Sequence, residues 1–300
     1  MRNKLSPFQI KLHSAKRKLG FECPPEFIPV FFFARSGSTV HGATLNTHSN
    51  CLSLNEAFEH YTDRAGNPYT ANMLKKSLDE ILAHYENQHL PLTRRHLIGL
   101  VKQHREYQRA QRGKLLTHCF FQFNHFYFPI FQDNINFDAF FDFIGHEFPG
   151  MVFITRKNSL LRLVSGLRAR ELNIWHSHSL EQAPPSASIY LNPNQAIHTQ
   201  LVSANGLLDY LNRIQIAEEE IRALAQQYNS RLLYLTYEDD IEPDVMIGVN
   251  KVMQFFNLPE SATPLQVPIQ KTSRGLKHDL LNYSDIEALL TGTPFEWMLY

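Results

Sequence analysis

A chain of 300 residues is long enough to bury one large core, and its 29 Lys and Arg are matched by 29 Asp and Glu. The missing basic excess argues against binding nucleic acid through its phosphate backbone. Three scattered cysteines, Cys23, Cys51 and Cys119, with no CxxC, argue against a disulfide framework, and no apolar run reaches the roughly 18 residues of a membrane-spanning helix.

In chain order, the opening MRNKLSPFQIKLHSAKRKLG carries six Lys or Arg and no acid. It is expected as a basic surface helix, with a transient contact to an anionic membrane as the sharper alternative. It lacks the continuous apolar segment of a secretory signal, so a cytoplasmic location is expected. An apolar strand follows over 28–34, and a helix starts near Ser38. Two further helices are expected within 61–112, then strands over 115–122, Met151–Thr155, 188–191 and 231–237. Most of these strands are short apolar runs with neither a two-residue nor a 3.6-residue period, as in strands buried on both faces. Amphipathic helices separate them; in the longest, Leu207, Leu211, Ile214, Ala217, Ile221 and Leu224 recur every three or four residues. The aromatic-rich stretch CFFQFNHFYFPIFQDNINFDAFFDF reads mainly as core, with an apolar acceptor channel as the sharper alternative. The expected fold is therefore α/β: a single domain over 1–300 with a mostly parallel central sheet flanked by helices. Ligands in such sheets bind beyond the carboxyl ends of strands.

Two strand ends carry chemistry. The first reads ARSGST from Ala34 to Thr39. A tight strand-to-helix turn at Gly37 would converge backbone N–H groups on one concavity at the positive end of a helix dipole, a seat for phosphate or sulfate. Ser36, Ser38 and Thr39 add hydroxyls, and Arg35 adds a forked cation. The Lys and second Gly of a nucleoside-triphosphate-hydrolysing loop are missing, and a plain Ser/Gly helix cap is the competing account. At the second, Met151–Thr155 runs into Arg156 and a helix whose expected buried stripe is Leu160, Leu161, Val164 and Leu167. Asn158, Arg162, Ser165 and Ala169 are expected on another face. Five Lys or Arg fall between Arg156 and Arg170 with no acid among them. Self-repulsion in such a helix is relieved by a nearby anion or by full solvation. Two anion-friendly strand ends suggest a ligand with an anionic group at either end.

This pattern resembles the sulfotransferase superfamily, whose donor is 3′-phosphoadenosine-5′-phosphosulfate (PAPS). ARSGSTVHGATLNTH is similar to the family's P-loop-like 5′-phosphosulfate loop, and FITRKNSLLRLVSGLRA to its 3′-phosphate motif. Arg156 and Ser165 match the Arg and Ser of that motif at a spacing nearer the bacterial carbohydrate and nodulation-factor type. LNTHSNCLSLNEAF, LLYLTYEDDIEPDVMIGVNKVMQFFNLP and QKTSRGLKHDLLNYSDIEALLTGTPFEWML resemble later family segments in the same order. The likeness is thinnest over 61–112, a helical insertion expected on the acceptor side.

The resemblance implies sulfonate transfer from PAPS to a hydroxyl of a carbohydrate or other small acceptor, without a metal. Arg35, Ser36, Gly37, Ser38 and Thr39 would hold the 5′-phosphosulfate, and Arg156 and Ser165 the 3′-phosphate. Glu56, in LNEAF, is the expected base for the acceptor proton, with His48 as competitor. Lys271, Thr272 and Ser273 would close over the nucleotide. Trp175 and His176 either line the acceptor groove or pack. Glu238, Asp239 and Asp240 are expected to order loops and ion pairs. The alternative is a protein that binds PAPS, or its product 3′-phosphoadenosine 5′-phosphate (PAP), without transferring sulfonate.

Overall fold

The computed structural model describes residues 25–54, 94–103, 105–113, 116–124, 137–172, 188–199, 201–268 and 274–300. Five strands form one all-parallel sheet: β1 (Glu26–Phe32), β2 (Cys51–Leu54), β3 (His118–Asn124), β4 (Met151–Thr155) and β7 (Leu232–Thr236), in the order β2-β3-β1-β4-β7. β5 (Ile197–His198) and β6 (Ser203–Ala204) make a separate antiparallel pair.

Helices cover both faces, which is why the strands read as unbroken apolar runs. Along β1 and the residue after it, Phe27, Phe31 and Phe33 join one buried cluster, while Ile28, Val30 and Phe32 join another. The first cluster takes in α2 (Arg94–Gln103), α3 (Arg105–Gly113), α4 (Phe137–Glu147) and the far half of the long α6 (Leu207–Tyr228), through Leu97, Tyr107, Phe141, Ile144 and Ile221. The second takes in α1 (Ser38–Asn46) and α7 (Val245–Phe256), through Leu45, Val249 and Val252. A third cluster packs α5 (Ser159–Leu172) against the near half of α6 and the C-terminal α8 (Leu276–Asp279) and α9 (Tyr283–Leu290). From the aromatic-rich stretch, Phe120, Phe121, Phe123 and Phe141 are core residues.

Pro29 sits in the central strand, where a missing N–H normally breaks a ladder. Glu26 N donates to Thr117 O on the β3 side and Phe33 N to Ile154 O on the β4 side. Odd-numbered residues of β1 therefore face β4, and pairing with β4 begins only at Val30. The donor that Pro29 lacks thus falls just ahead of that ladder.

The 188–191 strand does not form. Of that stretch Ile189 alone makes a β-bridge, to Leu280. β2, by contrast, was not among the expected strands; four residues flanked by polar ones carry too little pattern to announce a strand. Among the described residues no helix is long and apolar enough to cross a membrane.

Candidate anion-binding site

The sheet order locates the site. The chain leaves β1 toward β2 and leaves β4 toward β7, so the two connections diverge between neighbouring strands. In open parallel sheets that divergence opens a crevice at the carboxyl edge.

β1 stays joined to β4 as far as Phe33, whose N–H reaches Ile154 O at 3.2 Å. The backbone then turns through Arg35 at φ 65° and Gly37 at φ 81°, with Ser36 between them at negative φ. Alternation of sign is the conformation that aims successive N–H groups to one concave side. Gly37 caps α1 without any side-chain cap bond. A Cβ at this position would meet Tyr237 Cδ2 at 2.8 Å, so both conformation and packing require glycine. Arg35 holds the left-handed region without that freedom, at about 1–2 kcal/mol. Ser36 and Ser38 are buried, and Thr39 is half-buried.

β4 delivers Arg156, 5% exposed, over the Tyr237 ring with 4.2 Å between guanidinium carbon and centroid. Asn158 caps α5, accepting Leu161 N–H at 2.9 Å and donating to Met298 O at 2.8 Å. The two strand ends are tied together: Arg35 Nε donates to Ser165 Oγ at 3.0 Å, and Arg156 Nη1 donates to Arg35 O at 3.3 Å. Arg35 Cγ lies 4.0 Å from a Cβ placed on Gly166, so the Arg35 stem runs along the Ser165–Gly166 face of α5. Arg162, one turn earlier on that face, reaches the Phe33 ring at 5.4 Å.

The α5 faces differ from expectation. Leu160 and Val164 are buried and Leu161 and Leu167 half-buried, but Asn158, Arg162, Ser165, Arg168 and Ala169 are buried as well. Four of the five basic residues face carboxylates of the chain itself: Arg156 with Glu238 at 3.8 Å, Lys157 with Asp239 at 2.5 Å, Arg162 with Glu218, and Arg168 with Asp279 at 2.9 Å. Arg170 is exposed. These carboxylates come from segments distant in sequence, so the sequence offers no local sign of the pairing. Burial pulls the Arg156 pKa below its ordinary value, opposed by Tyr237, Glu238 and Glu242. Burial pushes the Glu218 carboxyl up, against the pull of Arg162.

The acidic run after β7 orders loops, as expected. Glu238 Oε2 accepts Lys157 N–H at 2.9 Å and its Oε1 accepts Asn158 N–H at 3.0 Å. Asp239 also accepts from Thr236 Oγ1, and Asp240 accepts Thr236 N–H and pairs with Lys251. Among the described residues, Ser36 Oγ, Arg156 Nε and Arg162 Nη1 are buried without a hydrogen-bond partner.

Arg35, Ser36, Gly37, Ser38, Thr39, Arg156 and Ser165 are thus gathered at one edge. His48 is not: it follows the far end of the nine-residue α1, about 13 Å along the helix from the loop. Its Nδ1 accepts Asn50 N–H at 3.0 Å, which leaves Nε2–H to donate to Pro259 O at 2.9 Å. β2 ends at Leu54 on the same edge as the Arg35 loop. Glu56, Lys271, Thr272, Ser273, Trp175 and His176 lie outside the described residues. Arg162 was expected on the Ser165 face of the helix, whereas Tyr237 was not expected at the site; a Tyr ending a strand looks ordinary in sequence. A cavity of about 400 Å³ at the start of α6, between Pro193 and Arg213, shares no lining residue with this group. No family model matches the chain, and no curated protein matches it.

Proposed function

We propose that this protein is a sulfotransferase that moves a sulfonate group from PAPS to a hydroxyl of a carbohydrate or other small acceptor. The observation that carries the reading is the join between the two segments assigned to opposite ends of one nucleotide. Arg35 meets Ser165 at 3.0 Å and Arg156 meets the Arg35 carbonyl at 3.3 Å. Nothing in β1 or α5 taken singly requires 130 residues of intervening chain to bring those side chains together.

The residues present fit such a donor. The buried, unpartnered Ser36 Oγ and Arg156 Nε are the kind of groups an anion satisfies. The turn through Arg35 and Gly37 would act as the P-loop-like seat of the 5′-phosphosulfate, with Ser38 and Thr39 beginning the helix behind it. Arg156 and Ser165 would take the 3′-phosphate. PAPS supplies an activated sulfonate whose S–O bond to the phosphate breaks as the acceptor oxygen bonds to sulfur. Fixed N–H and guanidinium donors lower the barrier by holding the charge that develops on the departing phosphate oxygen. Glu56 would take the acceptor's proton. An Arg serves here because its forked guanidinium offers paired N–H donors to the oxygens of a phosphosulfate.

The test is a calorimetric titration with PAP, with ADP as control and no added metal. Saturable binding of PAP but not ADP is expected, weakened by Ser165→Ala and abolished by Arg156→Ala in proteins that remain folded by circular dichroism. A folded wild type that ignores PAP overturns the reading. Glu56→Ala should bind PAP normally and transfer no sulfonate.

A further inference from the structure

The Glu238 carboxylate is bound as a small anion would be. It takes two successive N–H groups just ahead of the 14-residue α5, from Lys157 and from the cap residue Asn158, at 2.9 and 3.0 Å. It stands 3.8 Å from the Nε of Arg156, a guanidinium that is 5% exposed and whose Nε has no hydrogen-bond partner. A helix head and a buried Arg converging on one oxygen make a seat for a negative group.

The occupant is not locked in. Glu238 keeps 23% of its side chain in solvent and belongs to a five-residue π-helical turn, Tyr237–Ile241, an irregularity that recurs at functional sites. Its neighbours are anchored independently: Tyr237 under the Arg156 guanidinium, Asp239 on Lys157, Asp240 on the Thr236 N–H. The Glu238 side chain can therefore swing outward while the turn stays.

We propose that Glu238 is a displaceable internal ligand: it holds the seat formed by Lys157 N, Asn158 N and Arg156 Nε until a phosphate monoester takes it. Resting on the nucleotide reading above, this assigns the seat to the 3′-phosphate. Glu238 then competes only with ligands that carry a phosphate at that position, donor and product alike, and so favours release of a bisphosphorylated product. A carboxylate left beside an incoming phosphate repels it, so removing the charge tightens binding.

The experiment compares wild type with Glu238→Gln, with Glu238→Ala as a second variant should the amide re-form the helix cap. Titrants are PAP, AMP as the analogue without a 3′-phosphate, and inorganic phosphate. Expected is a gain in PAP affinity of about tenfold at low salt, shrinking as salt screens it, with AMP unchanged. Equal or weaker PAP binding by both folded variants overturns the proposal, as does an equal gain for PAP and AMP. If neither protein binds PAP but the variants bind inorganic phosphate more tightly, the seat stands and the nucleotide reading falls. If nothing binds either protein, both fall.

Discussion

Arg35 concentrates the problem of this site in one residue. Its φ of 65° is a region where a side chain costs about 1–2 kcal/mol, and glycine nothing comparable. Its guanidinium bonds Ser165 and its carbonyl accepts from Arg156. Strain retained beside two other arginines points to a function that needs the side chain there. Arg35→Ala loses the guanidinium and keeps the strain, whereas Arg35→Gly loses both. The glycine variant should be more stable than the alanine variant by about 1 kcal/mol in urea unfolding, while both lose PAP binding. An alanine variant as stable as the glycine one would mean the loop relaxes and the strain was never stored. The residue types of this loop were legible in sequence, because Ser-Gly-Ser-Thr after an apolar run predicts the turn. That Arg35 rather than Gly37 alone goes left-handed was not legible, since it follows from the bonds to α5 and β4.

At the scale of elements, α5 shows how a pattern can be read correctly and still be misplaced. Its leucines are where period 3.6 puts them, yet the polar face is buried too, because α6 and α8 supply Glu218 and Asp279. The Arg168–Asp279 pair is buried on both sides, at 6% and 1% exposure. Breaking such a pair leaves a buried charge without its counterion, which costs about 3–5 kcal/mol. Arg168→Met should destabilise by about that much, and Arg168→Met with Asp279→Leu should recover most of it, read as denaturation midpoints. A double variant no better than the single would show that the pair is held by more than its own charges. Strands follow the same logic. Met151–Thr155 is where its apolar run ends it, and β1, β3 and β7 shift by up to three residues from the apolar limits. The 188–191 stretch has suitable residues but reaches its neighbour at one bridge, so composition without a partner made no strand.

Among the described residues, two buried histidines, His41 one turn into α1 and His118 at the start of β3, carry a pH response of the whole molecule. Burial lowers the pKa of His41 from 6.5 to about 4, partly offset by the Gly248 backbone and Asp240. Burial also lowers His118 to about 4, reinforced by His48 and offset by the Phe256 backbone. Below pH 6.5 the unfolded chain takes up protons at these positions that the folded protein refuses until about pH 4. Their contribution is therefore complete above 6.5 and is lost as pH falls, by about 1.4 kcal/mol per unit for each histidine. Glu26 and Glu218, whose pKa values burial raises above 4.5, offset the loss at the acid end of that window. Unfolding free energy should thus drop between pH 6.5 and 5, and His41→Asn with His118→Asn should flatten the slope even if the variant starts lower. An unchanged slope would place the protons elsewhere.

The α/β class, the two strand ends and the residue types at each were legible in the sequence, because burial and turn chemistry are written locally, as apolar runs and as Gly, Ser and Arg at their ends. The sequence also carried the expectation that the acidic run after β7 would order loops, while the capping of α5 by Asn158 emerged only in the fold. That β1 and β4 are neighbours, that Arg35 reaches Ser165, and that Glu238, 82 residues beyond Arg156, sits just ahead of α5 came from long-range packing. Apolar patterning records how deeply a residue is buried and not against what. Which strand pairs with which, and which carboxylate meets which guanidinium, are set when the sheet order closes over the whole chain.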